Sequence, residues 1–98
     1  MLSTVEMLDL ARHRQGDVSD YRIAQLLGLK PNQISMYRRT PTKPSNPVAM
    51  RLGELAGLDP YEAAALVNLE RAATPEEREF WEGMLSRVAT PAKRKKAS

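Results

Sequence analysis

The chain has 98 residues, 42% of them hydrophobic, and carries 15 Lys and Arg against 12 Asp and Glu, for a formal net charge of +3. Such a length suits one domain with one small core, and the lack of cysteine excludes a disulfide framework, a thiolate metal site and thiol redox chemistry. No stretch approaches the roughly 18 apolar residues of a membrane span, and no charged segment leads into an apolar run near the first residue. The expectation is therefore a soluble, unexported, cytoplasmic protein.

Helix signals follow one another along the chain. Ser3-Thr4-Val5-Glu6 has the spacing of a capping box, and Leu2 and Met7 are placed as a hydrophobic staple. A first helix should start at Thr4, keep Val5, Leu8 and Ala11 on its apolar face, and stop at Gly16. Ser19 can cap a second helix over 20–27, with Ile23, Ala24 and Leu27 on one face and Gly28 at its end. Pro31 opens a third, because proline at the first helical position loses no hydrogen bond. The 40–45 segment, with Pro41 and Pro44, cannot be regular helix.

Asn46-Pro47 is then expected to cap a fourth helix to Ala56, with Val48, Leu52 and Leu55 inward and Gly57 ending it. Asp59-Pro60-Tyr61-Glu62 opens a fifth to about Glu70, and Thr74-Pro75-Glu76-Glu77 a sixth through Val88. No alternating strand pattern appears, so the fold class expected is all-α. The last stretch, "TPAKRKKAS", lacks apolar anchors and is expected to be a disordered basic tail over 91–98.

Charge is divided rather than mixed. Between Tyr21 and Gly53 the only charged side chains are Arg22, Lys30, Arg38, Arg39, Lys43 and Arg51, whereas acids dominate from Glu54 to Glu82. A separation of this kind presents a positive face to a polyanion while the remainder stays soluble. Within the cationic block, two helices of about eight residues flank a short turn beginning in glycine, which is the helix-turn-helix arrangement. Ala24 supplies the small side chain where two such helices cross, Gly28 the left-handed reversal, and Ile23, Leu27, Leu29, Ile34 and Tyr37 fill the inside of the angle.

At about 100° per residue, Ile34 and Tyr37 mark the buried side of the third helix. Asn32, Ser35, Met36 and Arg39 then lie opposite, with Gln33 at the edge. Asn and Gln pair with adenine, Arg with guanine, Ser serves several bases, and Met packs on a thymine methyl, so these five are the candidate base readers. Arg22, Lys30, Arg38 and Lys43 surround that face and are the candidate contacts to the sugar-phosphate backbone.

Residues 20–39 resemble the helix-turn-helix of the phage lambda repressor and Cro family. The five-helix pattern over residues 4–70, including "AMRLGELAGLDPYE", is similar to that family's DNA-binding domain. The resemblance covers about two-thirds of the chain. It implies a lambda-repressor-like five-helix domain over 1–72, an additional C-terminal helix over 73–90, and a repressor that occupies promoter DNA. The stretch "NLERAATPEEREFWEGML" resembles small phage-borne regulators, including repressor-like proteins of filamentous prophages. Two positions depart from the family pattern, Asp20 and Lys30; an acid at position 20 would repel a nearby phosphate.

Phe80, Trp81, Met84, Leu85 and Val88 form an apolar stripe on the sixth helix, and a stripe must be covered. One short recognition helix reads only a few base pairs, so a twofold homodimer on palindromic or pseudo-palindromic double-stranded DNA is expected, with this stripe in the interface. An architectural or recombination-directing protein, or a helical protein-interaction adaptor, would share much of this pattern. Catalysis is not expected: His13, the lone histidine, lies near a helix end, and no metal-ligand spacing, phosphate loop or activated nucleophile is evident. No cofactor is implied.

Overall fold

The computed structural model describes residues 1–88, and among them there are six helices and no strand. These are α1 (Thr4–Arg14), α2 (Asp20–Leu27), α3 (Pro31–Arg39), α4 (Asn46–Leu55), α5 (Pro60–Arg71) and α6 (Pro75–Arg87). The chain is all-α. None of these helices is long and apolar enough to cross a membrane. The expected basic tail lies outside the described residues.

Local chemistry sets most of the boundaries. The Ser3 hydroxyl accepts from the Glu6 amide while the Glu6 carboxylate accepts from the Ser3 amide, so the capping box at α1 is complete. Ser19 caps α2 through the Arg22 amide, Asp59 caps α5 through the amides of Tyr61 and Glu62, and Thr74 caps α6 through the Glu77 amide. Gly28 ends α2 with φ 71°, a left-handed conformation that strains any residue with a Cβ.

The start of α4 differs from the expectation. Ser45, not Asn46, is the cap residue, and its side chain makes no capping bond. The Asn46 side chain instead accepts from Asn68 Nδ2 at 2.8 Å, which ties the start of α4 to α5. A distant partner has taken the group that the local pattern assigns to capping.

The core brings together Met7, Leu8 and Ala11 of α1, Ile23, Ala24 and Leu27 of α2, Ile34 and Tyr37 of α3, and the inward faces of α4 and α5. Val5 and Leu55 are only half-buried, whereas Thr4 and Met7 join Leu8 and Ala11 as the fully buried residues of α1. Helices α4 and α5 pack most closely, because Gly53 lies against Ala63 and leaves no room for a side chain between them.

Three side chains at the end of α5 hold the segment that follows α3. Arg71 donates to the Pro44 carbonyl and to Asn68 Oδ1, Asn68 holds Asn46, and Glu70 approaches Lys43 Nζ at 3.7 Å. Glu70 also accepts from the Thr4 amide at 2.7 Å and from the Thr4 hydroxyl. Its carboxylate thus sits at the positive end of α1, where an anion is favoured.

The apolar stripe of the sixth helix is divided. Leu85 packs against the core, Trp81 and Val88 are half-buried, and Phe80 and Met84 are exposed. The rings of Phe80 and Trp81 meet edge to face with centroids 5.0 Å apart.

Candidate nucleic-acid interface

Helix α3 is set by what lies on either side of it. Its inner side is fixed by Ile34, fully buried, and by Tyr37, whose phenol is pushed above its ordinary pKa by burial. Its cap residue is Lys30, in extended conformation, which offers no acceptor to the first amides of the helix, and Pro31 follows at the first helical position. With two large side chains anchored inward three residues apart, the opposite side of the helix is obliged to face solvent.

On that outward side Asn32, Gln33, Met36 and Arg39 are exposed, and Met36 is 42% accessible. Ser35 is half-buried, less open to solvent than the other four. A cleft of ≈190 Å³ runs from this face to the following loop, lined by Gln33, Met36, Tyr37, Thr42 and Lys43. Amide, guanidinium and thioether groups therefore share one accessible surface.

The four candidate backbone contacts separate into two pairs. Arg22 and Lys30 are exposed and, like Arg39, take part in no ion pair among the described residues. Arg22 makes a hydrogen bond to Gln25 at 3.2 Å, an exposed neighbour one turn along α2. The other two cations are engaged. Lys43 turns toward Glu70, with its side chain 20% exposed.

Arg38 is the more heavily bonded. Its Nε and one terminal nitrogen donate to the two oxygens of Asp20 at 2.8 and 2.9 Å, and the other terminal nitrogen meets Asp9 Oδ1 at 2.9 Å. The guanidinium thereby joins α3 to α2 and α1, with its side chain only 21% exposed. Its pKa is raised, first by the hydrogen bond to Asp20 and then, against the opposing effect of burial, by Asp9. Asp20 has its charge met by this fork. Arg12 lies close to the same carboxylate, at 3.8 Å, and donates to the Val18 carbonyl.

Sequence reasoning placed Arg38 by its charge and missed Asp9, Asn68, Glu70 and Arg71. One signal was present: Arg38 follows the buried Tyr37 and so borders the packed side of α3, where a long side chain folds back over its neighbours. Asn68, Glu70 and Arg71 offered no comparable sign, since the last turn of a helix is an ordinary place for polar residues.

Elsewhere, His13 is exposed, with Nδ1 at 3.1 Å from Asp17 Oδ1. No group of three or more His, Cys, Asp or Glu side chains among the described residues could hold a metal ion. No family model, curated protein or solved structure matches the chain.

Proposed function

We propose that the chain is a sequence-specific DNA-binding transcriptional regulator of the phage or prophage repressor type. In this reading α2 and α3 form a helix-turn-helix, the first five helices a lambda-repressor-like domain, and the protein acts as a homodimer that occupies promoter DNA. One observation carries the reading: Asn32, Gln33, Met36 and Arg39 are exposed together on one side of α3, while its other side is anchored by Ile34 and Tyr37. This set of groups matches the donors, acceptors and methyls of base edges in the major groove. Selection of bound duplexes from a random pool, followed by mobility shift against the best sequence, tests it. Enrichment of no common sequence would reject it.

The readers should behave as a group. Asn32→Ala or Arg39→Ala should lose about 1–3 kcal/mol on the best site and relax preference at one base pair per half-site. Binding to the full set of single-base variants of that site is the measurement. A variant that keeps the wild-type ranking is not a reader.

Salt dependence should report the separation among the cations. Among the described residues, Arg22, Lys30 and Arg39 are the cations of this surface without an ion pair, and Arg39 is the one of the three assigned to a base edge. Two phosphate neutralisations per subunit, by Arg22 and Lys30, predict a log-log salt slope of about −4 for a dimer, taking about 0.9 per contact. Lys30→Ala should reduce its magnitude by about two per dimer, and Arg22→Ala likewise. Arg38→Ala should leave the slope as it is, because its charge is already met by Asp20 and Asp9. Titrations at four salt concentrations check this; a shallower slope for Arg38→Ala would return that residue to the phosphate contacts.

A further inference from the structure

The segment after α3 turns back beside the helix it leaves. The Thr40 hydroxyl donates to the Met36 carbonyl at 2.7 Å, and the Thr42 amide donates to Thr40 Oγ1 at 3.2 Å, which brings Thr42 alongside the last turn of α3. The far end of the segment is held from α5. Pro44 is fully buried and its carbonyl accepts from Arg71, while Lys43 turns toward Glu70. Thr42 therefore belongs to a fixed wall rather than to a loose connection.

The cleft of ≈190 Å³ lies between this wall and α3. Tyr37 is buried and closes its inner side, whereas Met36 and Thr42 are exposed and stand at its mouth. Among the described residues that line it, Lys43 carries the charge, and Glu70 already lies 3.7 Å from that ammonium. A phosphate entering the cleft would have to compete with this carboxylate. A thioether, an aromatic ring and the methyl of a threonine offer more to a small neutral apolar group, which they can cover without leaving a charge unmet. The cleft is also continuous with the outward side of α3, because Gln33 and Met36 belong to both.

We propose that this cleft receives the C5-methyl of one thymine in each half-site, with Met36 and Thr42 as the side chains that close over it. The thymine methyl is the apolar group that base edges present in the major groove. The inference rests on the proposed function and adds to it a specificity-determining residue, Thr42, that lies outside both helices of the motif. What is selected is the methyl and not the whole base: thymine and 5-methylcytosine offer the same group at C5, whereas uracil and cytosine carry hydrogen there. Covering one methyl corresponds to about a fourfold change in affinity, and to about 15-fold when both half-sites of a dimer are altered.

The test replaces each thymine position of the selected duplex in turn by deoxyuridine, in both half-sites, and measures affinity by mobility shift. One position per half-site should show the loss of about 15-fold. At that position a 5-methylcytosine–guanine pair should be bound more tightly than a cytosine–guanine pair by a similar factor. Thr42→Ser removes the threonine methyl and keeps the hydroxyl, and Met36→Ala removes the thioether; each should reduce the preference for thymine over deoxyuridine to less than about fourfold. Thr42→Val keeps the methyl without the hydroxyl and should retain the preference. Both positions are exposed, and circular dichroism verifies that each variant is folded.

A change of less than about twofold at every thymine, or a selected site that contains no thymine, would overturn the methyl reading. So would an equal affinity for the 5-methylcytosine and cytosine pairs, or a preference that persists unchanged in Thr42→Ser or in Met36→Ala. Loss of the preference in Thr42→Val as complete as in Thr42→Ser would also overturn it, since the hydroxyl would then be the contact. In each of these cases a selected duplex is still bound and the proposed function stands. Absence of any selected duplex overturns the proposed function and takes this inference with it.

Discussion

Gly53→Val is expected to lower the melting temperature by roughly 12–24 °C, the equivalent of about 3 kcal/mol in a domain of this size. Gly53 is buried where α4 meets α5, and even one added carbon would overlap the Ala63 methyl. The next atoms met are Asp59 O at 3.6 Å and Pro60 Cα at 3.7 Å. A methyl and two backbone atoms cannot rotate aside, so α4 and α5 must separate or the new side chain must distort them. Alanine at 53 should do less harm, because it adds fewer atoms and regains about 1 kcal/mol of helix propensity. Thermal unfolding followed by circular dichroism measures both. The fraction that remains folded should keep its base preference, since neither α4 nor α5 carries a proposed reader. A shift under about 3 °C for the valine variant would mean that the close approach of the two helices is not fixed.

Arg38→Ala should destabilise the protein by about 2 kcal/mol, between the small effect of an exposed ion pair and the 3–5 kcal/mol of breaking a buried one from one side. The loss leaves the carboxylates of Asp9 and Asp20 facing a gap, and it frees α3 from the helices that hold its orientation. DNA affinity should fall with the ranking of sequences preserved. Arg38→Lys should recover little, because an ammonium cannot span both oxygens of Asp20. Pairing Arg38→Ala with Asp20→Asn should give less than the sum of the two single losses. The raised guanidinium pKa sets the pH range on the arginine side: a basic group favoured in the folded state contributes fully below its unfolded pKa and loses that contribution only as pH rises through the folded value. Neutral and acidic solutions therefore leave Arg38 charged. Denaturant titration of the four variants decides the matter, and strict additivity would show that the fork carries no coupling.

What could be read from the sequence was what lies close along it. Ser3, Ser19, Asp59 and Thr74 cap amides two or three residues ahead, so the starts of four helices follow from short-range spacing. The outward side of α3 follows from Ile34 and Tyr37 for the same reason. Contacts across the fold were hidden. Asp20 and Arg38 are 18 residues apart, and nothing local says that their helices will set them side by side. Asn46 shows the limit well: its amide is suited to capping, yet Asn68 reaches it from 22 residues away. Gly53 and Gly83 both lie inside helices, and only the packing distinguishes Gly53, closed in by its own chain, from Gly83, which has nothing described within 4 Å.

The bond from the Thr4 amide to Glu70 has a consequence for hydrogen exchange. Amides in the first turn of a helix ordinarily exchange with solvent almost at once, because no carbonyl of their own helix protects them. Thr4 is fully buried, and its amide is held by a carboxylate 66 residues further along the chain. For that proton to exchange, the start of α1 must part from the end of α5. Fraying of α1 by itself does not suffice unless it also breaks the bond to Glu70. A position that would normally be among the fastest thus becomes a single-proton reporter of cooperative opening, with a protection factor that should approach that of the core amides of Leu52 and Val67.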